Sequence, residues 1–172
     1  MKLETKRLIL RELTINDLEA LKKVIGDKDN MKYYHEDFDE KKVIEWILRN
    51  IERYKTFGFG LWAVCLKESG ELIGDCGLTL QNIHEVIRPE IGYHIRRDMQ
   101  QKGIAKEAAI AVRDWTFSNT PFKEIYSYMK SHNHASRQAA LSWGCQFVEE
   151  YVSQNELISV YKIKKEDIKR YL

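Results

Sequence analysis

"DMQQKGIAKEAAIAV", residues 98–112, runs polar up to a single glycine, Gly103, and then turns at once into a helical pattern. A helix start leaves several backbone N–H groups without intrahelical partners, and the helix dipole makes that end partly positive. An anion held by those groups is one reading of the stretch. A plain glycine turn before a helix is the other. Gly103 can take backbone angles closed to other residues, and it lets a ligand approach the main chain. Ala105 keeps the next turn thin, while Lys102 and Lys106 add positive charge. Neither the P-loop pattern nor the dinucleotide G-x-G-x-x-G is present.

Working outward, "RPEIGYHIRR" (88–97) reads as a strand entering the glycine stretch, and "KEIYSYMKS" (123–131) as the strand leaving its helix near Ser118. The unit from Glu90 to Lys130 is therefore expected to be a parallel crossover. "FGLWAVCLK" (59–67) and "ELIGDCGLTLQ" (71–81) are β-rich runs joined by the turn signal "ESG" and should pair antiparallel. Before them come a strand in "RLILREL" (7–13) and two helices. Thr14 and Asp17 form a weak capping box for the first, which Gly26 stops. Asp39 caps the second, with Val43, Ile44, Ile47, Leu48, Ile51 and Tyr54 at helical spacing and Gly58 at its end. After them come a helix in "NHASRQAALSWG" (133–144), capped by Asn133, strands in "CQFVEEYV" (145–152) and "LISVYKIKK" (157–165), and a short helical tail. The order predicts an α/β fold with a mixed sheet of about seven strands covered by helices, in a single domain over residues 1–172.

Composition agrees with one globular domain: 172 residues, 44% apolar and 31% charged. A net charge of +2 provides no field for nucleic acid or a membrane surface, so neither partner is expected. The apolar runs fall short of a bilayer span, and the first residues carry no signal-peptide core. A cytoplasmic location is the resulting expectation. Cys65, Cys76 and Cys145 read as reduced thiols in a core, with Cys76 beside outward-facing hairpin positions. His132 and His134 lack a third ligand nearby, so no metal is expected. Trp46, Trp62, Trp115 and Trp143 read first as core.

Gln100–Ala105 resembles the Q/R-x-x-G-x-G/A signature of the GCN5-related N-acetyltransferases (GNAT), and the wider match resembles their ribosomal-protein N-acetyltransferase-like branch. "ETKRLILREL", "GELIGDCGL", "PEIGYHI", "KGIAKEA" and "NHASRQAALSWG" follow the branch's segments in order, over nearly the whole chain. The resemblance implies a splayed sheet whose parted strands hold acetyl-CoA (coenzyme A) as acyl donor. It implies that Gln101, Lys102, Gly103, Ile104, Ala105 and Lys106 hold the pyrophosphate. His94, Ile95 and Arg96 bond the pantetheine arm like an added strand, and Arg97 stands where the chain turns toward the phosphates. Asn133 matches an asparagine that contacts the arm, and it can equally be an N-cap.

Acyl transfer to an amine needs a proton acceptor, because an alkylamine with a pKa of roughly 10 attacks only when neutral. Glu90 is the candidate base, and a structural or substrate-orienting carboxylate is the alternative. Glu90, Gly92 and His94 share one side of an extended strand. Many family members carry a tyrosine seven residues after the asparagine, where this chain has Ala140. The branch carries a serine three residues after it, here Ser136, whose hydroxyl either steadies the leaving thiolate or bonds backbone in its own helix. Cys145 departs from the family's phenylalanine.

The resemblance places the amine acceptor against "NMKYYHEDF" and "FGFGLW". Tyr33, Tyr34, His35, Glu36 and Asp37, with Glu90, are the expected lining of a cleft that favours a cation, Trp62 the expected floor, and a solvated loop the alternative. Three functions stay open: an N-acetyltransferase for a small-molecule or peptide amine, a non-catalytic acyl-CoA-binding module, and a ribosomal-protein N-terminal acetyltransferase. The family's habit also admits a homodimer.

Overall fold

The computed structural model describes residues 2–170, so the outermost positions of the expected 1–172 domain lie outside the described residues. Its eight strands form one mixed sheet in the order β1-β2-β3-β4-β5-β6-β8-β7. The eighth strand, beyond the seven expected, is β1 (Lys2–Glu4), three residues pairing antiparallel with β2 (Leu8–Arg11) at the sheet edge. Three residues carry too little alternation to register as a strand in sequence.

α1 (Leu18–Ile25) follows a short 3-10 turn over Ile15–Asp17. The Asp17 carboxylate accepts the Thr14 N–H at 2.8 Å and also takes both terminal nitrogens of the Arg11 guanidinium, at 2.8 and 2.9 Å. The helix start is thereby tied to β2. α2 (Glu40–Phe57) begins at Asp39, whose side chain accepts the Lys42 N–H, and ends at Gly58 with φ +77°. Val43 and Ile47 face the sheet with Leu21, Val24 and Ile25 of α1, over Ala63 and Cys65. Leu48, part of the apolar repeat, is instead 52% exposed, and Asn50 is buried. Asn50 accepts the Leu61 N–H at 2.9 Å and donates to the Trp46 carbonyl at 2.9 Å, fastening α2 to the first residue of β3.

β3 (Leu61–Leu66), β4 (Leu72–Ile83) and β5 (Val86–Ile95) form the antiparallel centre. β4 and β5 are longer than expected, since they run to a two-residue turn in which His84 and Glu85 both take positive φ (51° and 66°). Such turns usually carry glycine or asparagine. Here the His84 ring stacks flat on Tyr151 at 4.5 Å, a contact no local pattern announces.

α3 (Ile104–Asn119) and α4 (His134–Ser142) cover the opposite face. Trp62, Cys76, Leu78, Ile91, Ile104, Ala108, Val112 and Trp143 belong to that core, and Cys65, Cys76 and Cys145 are all buried as free thiols. α3 is the crossover to β6 (Glu124–Lys130), which runs parallel to β5. β8 (Glu156–Lys164) pairs antiparallel with β6, and β7 (Gln146–Ser153) forms the far edge. Among the described residues no helix is long and apolar enough to cross a membrane.

Gly77 of β4 pairs with Leu61, the first residue of β3. A Cβ there would strike the Gly60 carbonyl oxygen and lie 2.7 Å from the Leu61 Cα, and that backbone cannot yield cheaply. Gly77→Ala is expected to lower unfolding free energy by about 3 kcal/mol, read from urea denaturation; an unchanged midpoint would contradict this packing.

Candidate active site

Between β5 and β6 there is one register pair, Glu90 opposite Tyr126, and β5 continues for five residues beyond it. The strands therefore part toward their C-terminal ends. In an antiparallel ladder, alternate residues turn their backbone groups to opposite neighbours. The Arg96 N–H donates to the Ile73 carbonyl at 2.8 Å, so Arg96, and with it His94 and Gly92, address β4. Of the three residues expected to bond the pantetheine arm through the strand edge, only Ile95 turns its backbone to the gap. Tyr93, not singled out from sequence, is its partner there. The Ile95 carbonyl already accepts the side-chain amides of Asn30 (3.0 Å) and Gln100 (2.9 Å).

At the end of this gap the chain makes a 3-10 turn over Arg97–Met99 and then two left-handed steps, Gln101 (φ 58°) and Gly103 (φ 75°, ψ 11°), the latter capping α3. The first turn continues with buried Ile104, half-buried Ala105 and exposed Lys106. Arg7 reaches in from the β1–β2 connection. Its Nη1 donates to the Lys102 carbonyl at 2.9 Å and its Nε to Glu107 at 2.7 Å. A cavity of about 430 Å³ opens between Thr5, Arg7, Gly103, Lys106 and Ile110. Arg7 was invisible as a site residue because 96 positions separate it from Gly103. Arg97, expected near the phosphates, is paired with Asp27 and Asp29, and Arg96, expected at the pantetheine arm, with Asp98 and Glu71.

On the α1/α2 face, Glu90 is 8% exposed, and its Oε2 accepts the Thr79 hydroxyl at 3.0 Å. Burial pushes its pKa up to about 7, against the lowering pull of that hydroxyl, of His94 and of Arg53. Four residues along, on the same face of the strand, His94 sits directly across from Asp75 of β4. Its Nδ1 lies 2.7 Å from Asp75 Oδ1, and its Nε2 2.6 Å from the Tyr34 hydroxyl. The indole N–H of Trp46 donates to the other Asp75 oxygen at 2.9 Å. Burial pulls the His94 pKa down, but the charge and hydrogen bond of Asp75, with Glu90 behind it, hold it above the ordinary value. Asp75 escaped the sequence reading. An acid in the middle of the apolar run "LIGDCGLTL" was the available signal.

Residues 27–38 span the parted strands. Tyr34 leans on His94 at the end of β5, while the Tyr33 ring meets His132 after β6, with ring centroids 5.2 Å apart. His35 is exposed. Trp62 does not floor this cleft. It is fully buried on the opposite face of the sheet, edge-on to Trp115 at 5.0 Å, because strand alternation sends it to the α3 side. Asn133 caps α4, its side chain accepting the Ser136 N–H at 3.1 Å. Ser136 is half-buried, and its carbonyl accepts the Tyr93 hydroxyl at 3.2 Å. Ala140 is sealed in the core.

A family model described as the acetyltransferase (GNAT) domain matches residues 7–146. An uncharacterized N-acetyltransferase, YoaA, of Bacillus subtilis (strain 168) is 30% identical over 174 residues, covering 95% of this chain and 96% of that one. The structure of an acetyltransferase from Agrobacterium tumefaciens superposes with a TM-score of 0.81 at 25% identity, over 96% of this chain and 95% of the other. A ribosomal L7/L12 alpha-N-protein acetyltransferase in complex with coenzyme A shares the fold at a TM-score of 0.78 and 14% identity, over 95% and 98% of the two chains.

The raised pKa of Glu90 has a stability signature. Between its ordinary value of 4.5 and about 7 the folded chain keeps a proton that the unfolded chain releases, so this group lowers stability as pH rises through that window. Glu90→Gln removes the effect. Relative to wild type, the variant is expected to gain up to about 3 kcal/mol between pH 4.5 and pH 8, measured by denaturant unfolding at both; a constant difference would place the carboxyl in an ordinary environment.

Proposed function

The chain belongs to the GNAT acetyltransferase family and is an N-acetyltransferase, and we propose that it transfers the acetyl group of acetyl-CoA by direct attack of a primary amine. The observation that carries this reading is the alignment of three features along one gap. These are the left-handed turn at Gln101–Gly103, the half-unpaired edge of β5, and a carboxyl, Glu90, raised to about 7 where the strands part.

The residues present fit such a cofactor. The N–H groups from Gln101 to Lys106 would hold the diphosphate, since the positive φ at Gly103 leaves the helix start open. A Cβ there would lie 3.5 Å from Arg7 Nη2. Arg96 and Arg97 would trade part of their carboxylate pairing for phosphate oxygens. The backbone of Tyr93 and Ile95 would meet the pantetheine arm. Bound there, acetyl-CoA supplies an activated acyl carbon and a thiolate leaving group. Glu90 takes the amine's proton, directly or through water, and a pKa near 7 suits a base working at neutral pH. Asp75 and Glu90, behind Tyr33 and Tyr34, favour an acceptor that arrives as a cation. A small polyamine-like molecule and a protein N-terminus both meet that description.

Acetyl-CoA at 100 times its Kd should stabilise the protein by about 2.7 kcal/mol, and Gly103→Val should abolish the gain. A melting temperature that ignores acetyl-CoA would overturn the reading. In a thiol-release assay across an amine panel, Glu90→Gln is expected to lower kcat by about 10²–10⁴ with KM for acetyl-CoA little changed. Unaltered turnover across the pH range would remove Glu90 from the chemistry.

A further inference from the structure

Acyl transfer also needs a proton for the departing thiolate, and Ala140, sealed in the core, offers no hydroxyl for it. A different element reaches the parted end of β5, from the other face of the sheet. Tyr34, from the connection between α1 and α2, brings its hydroxyl to within 2.6 Å of His94 Nε2, at the end of β5 where it has left β6. Behind it the chain of contacts is continuous. His94 Nδ1 meets Asp75 Oδ1 at 2.7 Å, and Asp75 Oδ2 takes the Trp46 N–H at 2.9 Å. Asp75 is fully buried, whereas Tyr34 is 44% exposed. The line thus runs from a fixed inner carboxylate to a hydroxyl whose pKa burial raises, on a ring partly open to the cleft.

We propose that Tyr34 is the acid that protonates the leaving thiolate, and that His94 and Asp75 are positioning residues that recharge it. The inference rests on the acetyl-transfer reading above.

The direction of the Tyr34 hydroxyl follows from the state of His94. With Asp75 accepting from Nδ1–H, a neutral imidazole has only a lone pair at Nε2, so the Tyr34 O–H points back at the ring. A protonated imidazole donates from Nε2 instead, and the Tyr34 hydrogen turns to the cleft. Asp75 favours that second state. The groups that bear on the pair are Asp75 from β4, Glu90 from β5 itself, Tyr128 from β6, and, acting on Glu90, Arg53 from α2.

The step balances. The amine nitrogen bonds to the acetyl carbon, and the carbon–sulfur bond breaks with its electron pair on sulfur. Glu90 takes the nitrogen's proton. Tyr34 gives its hydroxyl proton to sulfur and takes the Nε2 proton of His94. Glu90 then returns a proton to His94 through solvent, and the net products are an amide and a free thiol.

Hydroxylamine is a suitable probe acceptor, because it is largely neutral at pH 7 and needs no deprotonation before it attacks. With acetyl-CoA and hydroxylamine, Tyr34→Phe is expected to lower kcat for thiol release about 100-fold, with KM for acetyl-CoA within about twofold and an unchanged melting temperature. The alkaline limb of the wild-type kcat profile, set by His94, should disappear in this variant. Independently of acetyl-CoA, imidazole nitrogen NMR should show His94 titrating at lower pH in Asp75→Asn than in wild type. Retained kcat with the same alkaline limb in Tyr34→Phe, or a His94 titration that ignores Asp75→Asn, overturns the relay alone. Wild-type protein that neither releases thiol nor is stabilised by acetyl-CoA overturns the acetyl-transfer reading and the relay with it.

Discussion

Beyond Glu90 and Tyr126, β5 and β6 stop exchanging backbone hydrogen bonds, and the arrangement of the site follows from that interruption. The sheet stays continuous because β5 keeps its full ladder to β4, ten register pairs long, while β6 is held on its other side by β8. Each parted strand thus has a secure partner, and the gap is a feature of the fold rather than a frayed end. The crossover helix α3 starts at the head of the gap, so its free N–H groups and the exposed edge of β5 converge on one place. Strand alternation then sorts the side chains. Glu90 and His94 go to the α1/α2 face, while Ile91, Tyr93 and Ile95 go to the α3/α4 side.

Two buried carboxyl groups on that first face are treated differently. Asp75 has an indole N–H and an imidazole on its two oxygens, each at hydrogen-bond distance. Glu90 has the Thr79 hydroxyl, and Gly77 and Gly92 beside it add no side chain. A buried carboxyl with few donors favours its neutral form, while one surrounded by donors is fixed in place. One group is thereby suited to exchanging a proton and the other to holding a neighbour still. Asp75 lies opposite His94, four residues along β5 from Glu90, so one face of the sheet carries both properties.

The elements that set the fold were legible because each carried local chemistry. Asp39, Gly58, Gly103 and Asn133 punctuate helices as their types dictate, and the alternation around Glu90 fixed which face it takes. What sequence could not supply was pairing at a distance. Arg7 bonds the Lys102 carbonyl across 95 positions, Asp75 meets His94 only through the β4–β5 register, and Asn50 is buried because β3 needs an acceptor at Leu61. The floor expected from Trp62 failed for a related reason. An aromatic beside a cleft-lining segment says nothing of its side of the sheet until the register is known, and here Trp62 pairs with Cys76, not Asp75. The β4–β5 turn was missed because its left-handed residues are a histidine and a glutamate.

The double capping of the Ile95 carbonyl by Asn30 and Gln100 bears on how this protein keeps company with copies of itself. A strand edge with open backbone groups is a template on which a foreign chain can nucleate cross-β growth. The half-ladder of β5 would be such a template, lodged in the middle of the sheet. Two side-chain amides occupy its last acceptor, and residues 27–38 roof the opening with Tyr33 and Tyr34. The fold can therefore leave a strand unzipped for a small guest while denying the same slot to a stray polypeptide.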